Sequence, residues 1–140
     1  MTKKKRERRI LAWHFCRKTR RLGYGDGRKI RVGETLSVEG KPMLCVWGLH
    51  ASRIPLRAWC YAAGNIACRV QVWGSVRLGR DKLVGQHRKC LAMVNATRII
   101  SEWRRWCGRR PLAMRKQRMA RLHKMLLAAI AAQKKTHATK

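Results

Sequence analysis

The period of the apolar positions changes along the chain and divides it into a strand-rich part followed by a helical one. ILAWHFC (Ile10–Cys16), rich in β-branched and aromatic residues, predicts a strand with Leu11, Trp13 and Phe15 facing opposite to Ala12, His14 and Cys16. IACRVQVW (Ile66–Trp73) alternates Ile66, Cys68, Val70 and Val72 against Ala67, Arg69, Gln71 and Trp73, the pattern of a half-buried strand. Residues 29–38 alternate around Gly33 and predict two short strands or one bent one, and residues 82–94 predict one more. Between them, residues 43–64 read as a short apolar strand, a turn at Gly48 and a helix. That helix is expected to begin at Arg53, with Ser52 as its cap, Pro55 in its first turn, and Ile54, Ala58 and Tyr61 on one face.

From Asn95 the period becomes helical: Ile99, Trp103 and Trp106 recur with Ile100 and Cys107 beside them, Asn95 can cap the start, and Gly108 with Pro111 ends the run. A second helix is expected over residues 112–133, with Leu112, Met119, Leu122, Leu126 and Ile130 on one side and Arg118, Arg121 and Lys124 on the other. The expected class is α+β: a small mixed or antiparallel sheet with one internal helix, followed by two C-terminal helices, the last long and basic. Residues 1–9 are read as a disordered basic tail, 10–110 as the domain, and 111–140 as a basic amphipathic helix and tail.

Charge alters this picture most. Thirty-five Lys and Arg stand against six Asp and Glu, a formal net charge of +29 over 140 residues. A chain so one-sided repels itself unless a polyanion neutralises it, and nucleic acid is the commonest polyanion that does so. An anionic membrane surface is the weaker rival, and the longest apolar stretch, residues 125–132, is too short to span a bilayer. The excess sits at the ends. Lys3, Lys4, Lys5, Arg6, Arg8 and Arg9 form one block, and Arg104, Arg105, Arg109, Arg110, Arg115, Lys116, Arg118, Arg121 and Lys124 follow the last acidic residue, Glu102. These are the expected phosphate contacts, with little base specificity, for RNA or DNA alike. Six tryptophans could add stacking surfaces: Trp103 and Trp106 at core spacing, and Trp73 as the more exposed candidate.

The six cysteines show no C-x-x-C spacing, so no metal site is expected, and the start, MTKKKRERR, is not that of a secretory signal. Reduced thiols and a cytoplasmic location, the host-cell cytoplasm for a phage-encoded chain, are the corresponding expectations. Few acids are available for paired-carboxylate chemistry, and Cys45 with His50 is the nearest thiol–imidazole pair. His14, His50 and His87 are the candidate catalytic imidazoles, with no reaction assigned to them. His50 lies near a helix start, where unpaired N–H groups favour anions.

Trp13 to Phe15, Asp26 to Arg28, Val32 to Leu36, the C-x-x-G-L-H-A-S run from Cys45 to Ser52, Tyr61 to Gly64, Cys68 to Val70 and the D-K-L-V run from Asp81 to Val84 together resemble an uncharacterised domain of bacteriophage and prophage genomes. The resemblance covers about residues 11 to 107 and implies no activity. A looser resemblance is to the ADP-ribosyltransferase core. It implies NAD or ADP-ribose as ligand, with His14 holding the ribose and His50 stacking on nicotinamide; otherwise no cofactor is expected. The strand after Asp81, where that family carries its catalytic Glu, offers Gln86, His87 and Arg88. A structural or ribosome-associated protein is the third expectation.

Overall fold

A computed structural model describes residues 7–22, 26–62, 64–110 and 114–138, the last four without side-chain detail. Among the described residues, seven strands and three helices follow in order: β1 (Ile10–Cys16), β2 (Thr35–Ser37), β3 (Leu49–Ala51), α1 (Pro55–Cys60), β4 (Ile66–Trp73), β5 (Arg77–Leu78), β6 (Leu83–Gly85), β7 (His87–Asn95), α2 (Thr97–Gly108) and α3 (Arg115–Ala138). The fold is α+β with antiparallel sheets and two C-terminal helices, the last one long.

The central sheet runs β1-β4-β7-β2, and a smaller one runs β3-β6-β5. The alternation in β1 and β4 is used on both sides, giving three layers. Trp13, Phe15 and Ala67 turn to the helices, where they meet Ala58, Ile100, Trp103, Leu122, Leu126 and Ile130. Ala12, Cys16, Ile66, Cys68, Val70 and Val72 turn to Ala51 and Leu83 of the small sheet. The third strand joins both layers through a bulge. Arg69 pairs with Ala92, whereas the next residue, Val70, pairs with Cys90, so Leu91 is the extra residue. The even-numbered residues of β7 therefore change sides: Arg88 and Cys90 face the small sheet, and Ala92 and Val94 face the helices.

Several boundaries differ from the sequence reading. Residues 29–38 contribute β2 and, at Lys29, an isolated bridge to Arg21. Residues 82–94 make two strands, because the chain steps from the small sheet at Gly85 to the central one at His87. Helix α1 starts at Pro55 with Ile54 at its cap position, since the Ser52 hydroxyl donates to Asp81 O (2.7 Å) and its backbone pairs with Trp13. Its Oγ still accepts the Ile54 N–H at 3.3 Å. Tyr61 lies beyond α1 and is exposed, so it shares no buried face with Ala58. The cap of α2 is Ala96, one residue later than expected, although Asn95 Oδ1 does accept the Thr97 N–H (3.1 Å). The stripe that α2 buries is Ile100, Trp103 and Cys107, with Ile99 and Trp106 at its margins. Leu112 lies outside the described residues, whereas Leu122, Leu126 and Ile130 of α3 are buried as expected.

The turn at Gly48 is obligatory for steric reasons. Its φ is +115°, and a Cβ there would lie 2.5 Å from Val84 Cγ2.

Candidate nucleic-acid interface

The cations of this chain have few acids to meet. Among the described residues, the ion pairs are Arg28–Asp26 and Arg57–Asp81. Many of the remaining arginines lie on aromatic rings instead. Arg9 sits 3.9 Å from the centroid of Trp73, Arg110 and Arg121 sit 4.1 and 5.6 Å from Trp106, and Arg104 sits 5.0 Å from Trp59. Such contacts stabilise a guanidinium weakly and do not by themselves occupy its N–H groups, although Arg110 Nη1 also donates to Trp106 O (3.2 Å).

The candidate phosphate contacts divide accordingly. Lys3, Lys4, Lys5 and Arg6 lie outside the described residues. Arg9 is not part of a detached tail, because it packs on the sheet through Trp73. Arg104 and Arg105 line a cleft of about 560 Å³ with Trp59, Asn65, Thr97, Ile100 and Ser101, where the Trp59 indole N–H donates to Asn65 Oδ1 (2.9 Å). Arg109, Arg115, Lys116, Arg121 and Lys124 are exposed along α2 and α3. Arg118 behaves differently: its Nη2 donates to Cys107 O (3.1 Å) and Arg110 O (2.7 Å), the carbonyls that end α2. It therefore caps the α2–α3 junction. Trp103 is core, its indole N–H donating to Arg118 O (2.8 Å), while Trp106 is only partly buried beneath its two arginines.

The imidazoles are placed by the other side of the sheet. The β3 residues Leu49, His50 and Ala51 pair with Gly85, Val84 and Leu83, so the G-L-H-A-S and D-K-L-V runs lie side by side. Ser52 bridges to Trp13, bringing the W-H-F run to the same place. His50 accepts the Cys45 backbone N–H at Nε2 (2.9 Å) and is hydrogen-bonded to the Gly48 backbone, so its ring ties down the loop before β3. Cys45 thus meets His50 through its amide, which leaves the thiol out of the contact.

Sequence reasoning missed Arg88, which is 3 % exposed and donates to His50 O (2.7 Å), while its Nη2 finds no hydrogen-bond partner among the described residues. A signal was present, because Arg88 shares the parity of the buried positions Cys90, Ala92 and Val94. Burial pushes its pKa down to about 10, so it remains charged at neutral pH. Around it lie three buried thiols: Cys16 and Cys68 have sulfurs 3.9 Å apart, and Cys68 is pushed up by its contacts with Cys16 and Cys90 and by burial. The Arg88 guanidinium acts on both His14 and His50. Among the described residues, no group of three or more His, Cys, Asp or Glu side chains is arranged to hold a metal ion.

Burial, then the Arg88 charge, then His50 lower the pKa of His14; burial, then Lys82, lower that of His50; burial, then Arg69, lower that of His123. These groups stay neutral in the fold but protonate in the unfolded chain below about pH 6.5. The unfolded state then binds more protons, so stability is full above that pH and falls as pH drops toward the folded values, most through His14 and less through His50 and His123, whose more exposed rings are screened by solvent. Urea unfolding between about pH 7.5 and pH 5 should show this loss, part of it removed in His14→Gln. A pH-independent midpoint would contradict the burial of these rings.

His87 is remote from this cluster. It lies on the helix-side face, bonded through Nδ1 to Ser37 Oγ (2.8 Å) and beside Trp73 (ring centroids 5.4 Å apart). Comparison with protein-family models, curated proteins and solved structures gives no match to this chain. Among the described residues, no helix is long and apolar enough to cross a membrane.

Proposed function

We propose that this chain is a nucleic-acid-binding protein that engages its ligand mainly through phosphates, with little dependence on base sequence. The observation that carries this reading is the state of the arginines. Arg9, Arg104, Arg110 and Arg121 are held on aromatic rings and Arg105, Arg109 and Arg115 are exposed along α2 and α3, while the arginines have two acid partners among the described residues. A net charge of +29 supplies the driving force through counterion release. The proposal includes kinship with the phage-type domain, supported by the way three of its motifs converge around Ser52. The ADP-ribosyl alternative gains nothing from a His50 ring already bonded to backbone, beside Arg88.

Binding of a labelled oligonucleotide, followed by anisotropy, should weaken steeply with salt. About six to ten phosphate contacts would lower affinity roughly 10³- to 10⁵-fold between about 50 and 200 mM salt. Equal affinity at both salt concentrations would refute the reading. Stable retention on one large particle after a high-salt wash would point to a structural or ribosome-associated role instead.

A further inference from the structure

The helices cover only part of their side of the central sheet. The pairing register arranges that face in rows: Phe15, Ala67 and Val94, then Trp13, Arg69 and Ala92, both under the helices. The next row is Leu11, Gln71, Lys89 and Thr35, and the last is Trp73, His87 and Ser37. These two rows remain accessible. Leu11, the second residue of β1, is 49 % exposed, and Gln71, Trp73, His87 and Lys89 are partly exposed.

An uncovered antiparallel face ordinarily carries polar side chains. This one carries the polar Gln71, Lys89, Thr35 and Ser37, and among them an indole, an imidazole and a leucine, with Arg9 packed on the indole. The aromatic pair is built in place. His87 is fixed by Ser37, its ring tilted 31° to that of Trp73, and Gly74, at φ +84°, lets the chain turn where a Cβ would strike His87 Cδ2 at 2.7 Å. A planar cation, the Arg9 guanidinium, already rests on the Trp73 ring. A nucleobase is a planar group that fits the same position, and its arrival would release Arg9 toward the adjoining phosphate.

We propose that Trp73, with His87 and Leu11 beside it, is a stacking platform for an unpaired base of a single-stranded nucleic acid, with Arg9 and Lys89 holding the flanking phosphates. Duplexes conceal the faces of their bases, whereas single strands offer them, so the platform gives this chain a preference for single strands. The inference rests on the nucleic-acid reading above but depends on bases, where that reading depends on phosphates.

The test compares a base-bearing single strand, an abasic strand of the same length and a duplex, each by anisotropy at low salt. The unaltered protein should bind the base-bearing strand about 5- to 100-fold more tightly than the abasic one. Trp73→Ala should lose that factor, so that base-bearing and abasic strands bind alike, and Trp73→Phe should keep most of it. Equal binding of abasic and base-bearing strands by the unaltered protein, or a preference that survives in Trp73→Ala, overturns the platform and leaves the phosphate reading standing. No binding to any strand removes both. The abasic comparison uses the unaltered protein and decides the matter even if a Trp73 variant fails to fold.

Discussion

Trp13→Ala is expected to destabilise the domain by about 3–5 kcal/mol, the range for deleting a large aromatic from a packed core. Trp13 is 0 % exposed and lies where the central sheet meets the helical layer. His123 of α3 contacts its ring edge-on (centroids 5.5 Å apart), and the Arg69 guanidinium rests 4.8 Å from its centroid. The backbone of the same residue holds Ser52 in both directions, at 2.7 and 2.9 Å, so the position also anchors the small sheet. Against a domain stability of about 5–15 kcal/mol, this loss consumes a large share. Trp13→Phe should cost distinctly less, because it removes a buried indole N–H that has no hydrogen-bond partner among the described residues while keeping most of the ring. Urea unfolding measures both. A loss below about 1 kcal/mol in the alanine variant would show that α3 does not pack on β1.

Neutralising the exposed cations of α3, Arg115, Lys116, Arg121 and Lys124, by glutamine should flatten the salt dependence of duplex binding. Each phosphate contact contributes about 0.9 to the slope of log K against log salt, so four lost contacts reduce it by up to about 3.6. All four side chains are exposed, and substitution disturbs no buried group. Arg118→Gln is the informative control. Its guanidinium serves the carbonyls that close α2, so its loss should lower the unfolding midpoint and leave the slope nearly unchanged. An unaltered slope in the fourfold variant would exclude α3 from the interface.

Much of the architecture was legible before any coordinates. The strict alternation of β4 and the apolar recurrence in α2 are short-range patterns, and backbone geometry converts each directly into one element. Boundaries failed where a side chain served a partner distant in sequence. Ser52 reads as a helix cap but is occupied by Asp81 and Trp13. Residues 82–94 read as one strand because both halves alternate, and nothing local marks Gly85 as the point where the chain changes sheets. The candidate site was legible as composition, arginine and tryptophan in excess of acids, and not as arrangement. Trp73 could be placed on the arginine-bearing side of its strand, but Arg9 and His87 reach it from two other segments.

The sequence by itself determined the types of the longer elements, the α+β class and the sign of the charge, since each depends on neighbours within a few residues or on a simple sum; the short strand after Gly48 was expected before it. Only the tertiary structure decided which faces those elements show. The bulge at Leu91 moves Arg88 into the layer of His50 and Ala92 into the layer of Trp13, although the two belong to one alternating strand. The helices stop short of Trp73 and leave an aromatic row open beside a cation. Strand pairing between segments some tens of residues apart, and the reach of a helix across a sheet, are set by the joint packing of the whole chain, which no local period encodes.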